Sequence, residues 1–383
     1  MLKTKTIVCL APIDWNFLRQ RHQILMTLFA QAGWRVIFIE NLNPSPRLDR
    51  SFLKKLVRRL FKILRVPRPD SQNLPPNVEV VTPLVFPFKN KLSDFLNKKI
   101  CVKLLAWSLG RRGVKNPLVW TYLATSTVLR FIEEIKPEFL LYDCVFDAPI
   151  HPDAPSDIIV SESFLLSSSN LVLTDNHHLL KKCQGFNTNT HLIPPGVDYE
   201  LFSRPPALDK KSYVGQIDSP RLCFFGGIDD FRLDFRLIEY IAQKMTLWNI
   251  ILVGPLIKTD ARKLRLKNIH FKDTIPYNEL PAALQEMDVL ILPYKIIPFS
   301  KSIFPAKIYE CLATGKPIVA TPLEELMLLE TGLIKIGRTR EEFLRQTETA
   351  LHADTKDAAN QRKKKAAENS WKSRFEIIQS YIE

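Results

Sequence analysis

The stretch FPAKIYECLATGKPIVATP, Phe304 to Pro322, carries more of this chain's reading than any other. A polar loop with Pro305 and Lys307 leads into a short helix predicted over Ile308 to Thr314. Gly315 ends that helix, Pro317 prevents its continuation, and Ile318, Val319 and Ala320 follow as a buried strand. The helix therefore starts where Lys307 points at something anionic, with the positive end of its dipole aimed the same way. Glu310 lies one turn further along the same face and cannot read the same phosphate. A carboxylate beside a phosphate site binds a sugar hydroxyl, so lysine, helix end and glutamate together describe a nucleotide pocket. The competing reading is a surface helix with an ordinary i, i+3 ion pair.

Working outward, strand and helix signals alternate on both sides of this segment, which implies parallel sheets covered on both faces. Strands are expected at Thr6–Leu10, Arg35–Ile39, Val78–Thr82, Leu118–Thr121, Phe139–Tyr142 and Asn170–Thr174, with helices over Phe17–Ala32 and Thr125–Ile135. A polar, proline-containing linker, Arg204 to Ser219, precedes a second alternating series that opens with the strand Arg221–Phe225 and continues through Asn249–Val253 and Val289–Pro293. The predicted division is 1–203 and 204–367, with 368–383 as a closing helix. At 383 residues and 46% hydrophobic content, two domains with substantial cores are expected.

The net charge of +14 calls for an anionic partner or surface. It is concentrated in Arg50–Arg68, with eight basic residues and no acid, and in Lys89–Lys115, where Phe95, Leu96, Ile100, Leu104, Leu105 and Trp107 supply apolar surface. Basic amphipathic helices with aromatics suit an anionic membrane surface; the alternative is that both helices bury their apolar sides. No apolar run reaches the roughly 18 residues that span a bilayer. The six cysteines are scattered without a CxxC pair, as in a reduced, cytoplasmic protein with neither zinc nor disulfides. With the basic stretches, this places the chain peripherally on the inner face of the plasma membrane.

The pattern P-x-K-x-x-E-x-L-A-x-G-K-P-[IV]-V, met here from Pro305 to Val319, resembles the donor-site motif of GT-B glycosyltransferases that build bacterial cell-surface polysaccharides, including glucuronosyltransferase-like and group 1/family 4-like members. Many relatives carry a further glutamate eight residues before the second; Ser302 holds that place here. The resemblance implies a GT-B α/β architecture: two Rossmann-like domains facing a cleft, with the acceptor in the first, the donor in the second, and a C-terminal helix returning to the first. It also implies sugar transfer from a UDP- or GDP-sugar to an acceptor hydroxyl, lipid-linked or on a polysaccharide, without a metal or other cofactor. Lys307, Pro305, Ser302 and Glu310 then belong to the donor site. So do Phe225, Gly226 and Gly227, whose glycines let backbone approach a phosphate. The segment holding Ile275 and Tyr277 resembles the one that reads the nucleobase, although a proline-initiated helix explains the same letters. Tyr294, after the Val289–Pro293 strand, is expected at the donor sugar.

In the first domain, Tyr142-Asp143-Cys144-Val145-Phe146-Asp147 is similar to a family motif running Y-D-x-x-D-D, from which Phe146 departs. An inverting transfer needs a carboxylate to take the acceptor's proton. Asp147 is the candidate base, Asp14 its alternative, and loop capping the structural role open to either; a retaining transfer demands no such group. Lys307, the helix dipole and the Gly226–Gly227 backbone stabilise the leaving diphosphate in this scheme. Arg19, Arg21 and His22 either grip an acceptor pyrophosphate or form the solvated face of the following helix. Two other classes compete. A GT-B-like sugar-phosphate epimerase needs more acids and histidines than Asp147, Asp14 and His22. A basic nucleic-acid-binding protein would explain the charge, but no RRM, KH or helix-turn-helix signature is present, so no nucleic acid is expected as partner.

Overall fold

The computed structural model describes residues 5–42, 74–86, 90–151, 154–204, 212–257, 259–260, 263–329 and 332–383. The basic stretch Arg50–Arg68 lies outside them. These residues form two compact units, Met1–Pro194 with Phe375–Glu383, and Pro195–Arg374.

Among the described residues the first unit is built on seven parallel strands: β1 (Thr6–Ala11), β2 (Arg35–Glu40), β3 (Val78–Val81), β4 (Leu118–Thr121), β5 (Phe139–Cys144), β6 (Leu171–Thr174) and β7 (Thr190–Leu192). Their order is β3-β2-β1-β4-β5-β6-β7. The second unit repeats the plan with β8 (Arg221–Phe225), β9 (Asn249–Val253), β10 (Ile269–Lys272), β11 (Val289–Leu292), β12 (Ile318–Ala320) and β13 (Lys335–Ile336), ordered β10-β9-β8-β11-β12-β13. Each chain segment thus begins in mid-sheet, winds to one edge, and crosses to the other side. The reversal falls between β1 and β4 in the first sheet and between β8 and β11 in the second, where a crevice opens at the carboxyl ends of such strands. Strand interiors such as Ile7–Ala11, Val36–Ile39, Leu222–Phe225 and Val289–Leu292 are buried, because helices cover both faces.

Several expected boundaries shift for identifiable reasons. The first helix spans Arg21–Gln31, not Phe17–Ala32. Gln23 turns back on the loop before it: its Oε1 accepts from Gln20 N at 3.0 Å, and its Nε2 donates to the Trp15 and Leu18 carbonyls, both at 3.3 Å. Those bonds compete with helix continuation toward Phe17. Glu40, at the end of β2, fastens the same loop by accepting from Trp15 N at 2.9 Å and from the Thr82 hydroxyl at 2.7 Å. Strand β5 runs through Asp143, which therefore sits inside the sheet and not in the loop after it.

The basic stretch from Asn90 onward folds as a helix Lys91–Leu96, a π turn Asn97–Cys101 and a helix Val102–Arg111. Buried Asn97 explains the π turn. Its amide pairs twice with the backbone of Phe86, accepting at 2.8 Å and donating at 3.0 Å. Leu105 is buried, whereas Leu92, Phe95, Ile100, Leu104 and Trp107 are exposed. The extra residue of a π turn lets the five-residue step from Phe95 to Ile100 keep to one side of the helix.

The last helix, Trp371–Ile382, starts in the second unit and ends in the first. Phe375 meets Phe29 at 4.8 Å and Tyr381 stacks on His191 at 4.0 Å.

Gly254, just beyond β9, tests the tightness of the second sheet's crevice. Its φ is +131°, and a Cβ there would lie 2.2 Å from the carbonyl oxygen of Gly226. Gly254→Ala should therefore lower stability by about 2 kcal/mol or more, through strain and displacement of the Gly226 loop. Denaturant unfolding of the two proteins measures this directly.

Candidate functional site

The crevice of the second sheet is lined by the loop leaving β8 and by the residues after β11. Gly226 adopts φ +111° and donates from its amide to Val253 O at 2.9 Å, so the loop turns sharply over the neighbouring strand end. Lys307 closes the other side. It sits at the N-terminal boundary of the helix Ile308–Thr314, and Pro305 O accepts the first amide of that helix at 2.8 Å. The Lys307 ammonium lies 3.9 Å from the centre of the Phe224 ring, with Phe225 and Tyr294 at 5.5 and 5.8 Å. It also stands 2.8 Å from the position a Cβ on Gly226 would take. Glycine is thus required there both for its positive φ and for the room the amine occupies. Burial and the nearby Arg232 lower the Lys307 pKa to about 8. The aromatic faces offer partial compensation to the cation, but no carboxylate is within ion-pair range of it among the described residues.

Glu310 is half-buried on the same helix. Its Oε1 accepts a hydrogen bond from the Tyr277 hydroxyl at 3.1 Å. Burial raises its pKa to about 7, against the opposing pull of that hydrogen bond and of Lys307. Tyr277 packs edge-on against Phe202 at 5.3 Å, and Ile275 leans on the same core. Ser302 is fully buried with its hydroxyl donating to Phe299 O at 2.9 Å, so its polar atom is turned into its own short helix. Pro305 is buried and Tyr294 nearly so; Tyr294 contributes ring surface under the lysine, and burial pushes its phenol pKa upward.

Arg232 joins this group, a cation whose role the sequence left unassigned. Asp229 accepts from its Nε at 2.7 Å and from its amide at 2.7 Å, which fixes a guanidinium beside Gly227. Asp234 caps the helix Phe235–Lys244 by accepting from Leu237 N at 3.0 Å. A second missed residue is Arg362. It is buried, and it donates from Nε and Nη2 to the carbonyl of Gly315 at 3.1 and 2.8 Å, holding the far end of the Lys307 helix. Gly315 itself takes φ +76° at that helix end, as its sequence position implies.

The first unit disposes its charges differently. Arg21 is buried: its Nε donates to Asp143 at 2.9 Å and its Nη1 to Ile193 O at 2.8 Å. It is therefore neither a solvated side chain nor a free grip for pyrophosphate. The His22 ring meets that of Tyr122 at 4.0 Å, tilted by 60°, and burial together with Arg21 lowers its pKa to about 3. Asp147 is largely buried and accepts from Lys182 Nζ at 2.7 Å. The same amine donates to Glu162 at 2.6 Å, and Glu162 accepts from the Tyr142 hydroxyl at 3.0 Å. Burial works against the charge on Lys182, yet its two carboxylate partners raise its pKa. Asp147 is thus part of a packed ionic chain that ties the β5 loop to two helices. Asp14 is exposed on the loop after β1.

Residues 219–353, within the second unit, match the family described as glycosyl transferases group 1. The chain is 34% identical over 151 residues to a Bacillus subtilis (strain 168) protein named as a teichuronic acid biosynthesis glycosyltransferase, TuaH; the match spans 37% of this chain and 37% of that relative. Among solved structures, sucrose-phosphate synthase from Thermosynechococcus elongatus superposes with a TM-score of 0.69 at 13% identity, covering 98% of this chain and 97% of that one. HepE from Anabaena, solved with UDP and glucose, gives a TM-score of 0.68 at 15% identity over 98% and 99% of the two chains. These likenesses show the fold: the chain has the GT-B architecture of two Rossmann-like units.

The shifted pKa values of Lys307 and Glu310 carry a stability signature. The folded Glu310 holds a proton up to about pH 7, above its ordinary 4.5, so the stability it contributes at low pH is lost as pH rises through 7. The folded Lys307 releases its proton near 8, below its ordinary 10.5, so its contribution is present at high pH and lost as pH falls through 8. The ligand-free protein should accordingly show a local stability minimum between pH 7 and 8. The double variant Lys307→Met/Glu310→Gln should flatten it, by an amount on the order of 1–2 kcal/mol after allowance for the partial exposure of both groups. Denaturant midpoints for both proteins from pH 5 to 10 give the difference curve.

Proposed function

We propose that this chain is a glycosyltransferase that moves a sugar from a nucleoside diphosphate sugar to an acceptor hydroxyl in cell-surface glycan synthesis. One observation carries the reading: a lysine ammonium, with no carboxylate in ion-pair range among the described residues, rests on a glycine loop at the switch point of a parallel sheet. A diphosphate supplies the missing counter-charge. Lys307 and the fixed guanidinium of Arg232 would face its oxygens, with the Gly226–Gly227 backbone close by and Glu310 one helical turn away for the ribose. As the bond from the anomeric carbon to the diphosphate breaks, negative charge grows on the leaving oxygens, and the preorganised cations stabilise that charge more than the ground state. The new bond forms from the acceptor oxygen, whose proton must be taken up. In an inverting transfer Asp14, exposed on the loop after β1, would take it, because Asp147 is already held by Lys182. UDP is the first donor nucleotide to test, since HepE binds it; GDP is the second. The acceptor is a saccharide or its lipid-linked form, in keeping with the teichuronic acid role named for TuaH.

The first unit also offers a surface suited to anionic lipid. Leu92, Phe95, Ile100, Leu104 and Trp107 are exposed along the 91–111 helices, among Lys91, Lys99, Lys103 and Arg111. No helix among the described residues is long and apolar enough to cross a membrane. Such a stripe lies in a membrane interface, with apolar side chains inserted and cations at the headgroups. This reading places the protein peripherally on the inner face of the plasma membrane.

Thermal unfolding with a panel of nucleotides tests the activity. UDP or GDP should raise the midpoint in wild type, and Lys307→Ala should remove the shift; a full shift in the variant would sink the assignment. Sedimentation with vesicles containing phosphatidylglycerol tests the surface. Binding should weaken at least tenfold in Phe95→Asp/Trp107→Asp and fall with added salt, and salt-insensitive binding would refute it.

A further inference from the structure

Tyr277 meets the donor site in a way its sequence context did not suggest. It was expected in the segment reading the nucleobase, yet its hydroxyl donates to Glu310 Oε1 at 3.1 Å across 33 residues of sequence. The ring that carries this hydroxyl is itself held edge-on by Phe202, so the bond has a fixed origin. Glu310 accepts no other hydrogen bond recorded among the described residues, which leaves Oε2 and one lone pair of Oε1 open to a ligand. Carboxylates recognise vicinal hydroxyls by accepting from both. A carboxylate free to rotate would lose much of that binding to the cost of ordering it.

Building on the donor-site reading above, we propose that Tyr277 is the positioning residue for ribose recognition: it pins one oxygen of Glu310 so that the carboxylate presents a fixed pair of acceptor sites to the sugar hydroxyls. Because the hydroxyl is a donor to Glu310, it also favours the ionised carboxylate, the form that accepts from both hydroxyls. The phenylalanine variant keeps the ring on Phe202 and deletes the bond to Glu310, and Glu310→Gln keeps the shape of the side chain and deletes its charge. Glutamine presents one acceptor and one donor in place of two acceptors, so it should misread the diol even where it folds normally.

The experiment is calorimetric titration of the full chain with UDP and with 2′,3′-dideoxy-UDP, repeated with GDP and its dideoxy analogue, for wild type, Tyr277→Phe, Glu310→Gln and Lys307→Met. Wild type should favour the ribose form by about tenfold or more, since the dideoxy analogue leaves the carboxylate's acceptor sites unpaired. Tyr277→Phe should weaken the ribose nucleotide about five- to tenfold and leave the dideoxy nucleotide within twofold. Glu310→Gln should do the same, and the combined variant should lose little beyond Glu310→Gln alone, since the tyrosine acts through the glutamate. Lys307→Met should weaken both nucleotides equally. If Tyr277→Phe changes neither nucleotide, or both to the same extent while Lys307→Met still behaves as stated, Tyr277 does not position Glu310 although the donor site stands. If wild type binds neither UDP nor GDP, the donor-site reading falls and this proposal falls with it.

Discussion

A lysine ammonium taken largely out of water and laid on aromatic faces, without a carboxylate in ion-pair range among the described residues, is the constraint around which the second unit is arranged. Its cost is visible in the lowered pKa of Lys307. A protein that only needed a stable core would place an apolar residue there. The surrounding structure instead fixes the amine from every side: Gly226 gives it room, Phe224 and Tyr294 give it a floor, and Arg362 holds the helix that carries it. Strain and unmatched charge concentrated at one crevice are what a preorganised anion site requires.

The two units contain similar ionisable groups but use them in opposite ways. In the first, Arg21 is matched to Asp143, and Lys182 to both Asp147 and Glu162, inside the fold. Those pairs are closed, and breaking one by removing a partner leaves an uncompensated buried charge. In the second, among the described residues, Lys307 has no carboxylate partner, Arg232 is oriented by Asp229 without being buried, and Glu310 accepts from the Tyr277 hydroxyl alone. Closed pairs lock architecture; open charges are available for a ligand.

Much of the second unit's crevice was legible locally. The segment from Phe304 to Pro322 gives the helix Ile308–Thr314, its glycine terminator and the strand Ile318–Ala320 at the positions where they occur, because caps and prolines act over one or two turns. Glycine pairs after a strand signal a close backbone approach for the same short-range reason. Arg362 gave no local sign, since the carbonyl of Gly315 that it holds lies 47 residues away. The first unit was harder still. The start of the first helix depends on side chains folding back onto a loop, and the end of β5 on pairing with β6.

The sequence by itself determined the alternation of strands and helices, the two-part organisation, and the lysine and glutamate one helical turn apart. All of these follow from periodicity and local backbone chemistry. Only the tertiary structure decided which cations are neutralised and which are not. Arg21 and Lys307 are both basic residues beside a helix start, yet one finds a carboxylate 122 residues away and the other finds three rings. That difference is one of distance and dielectric, which long-range packing alone sets.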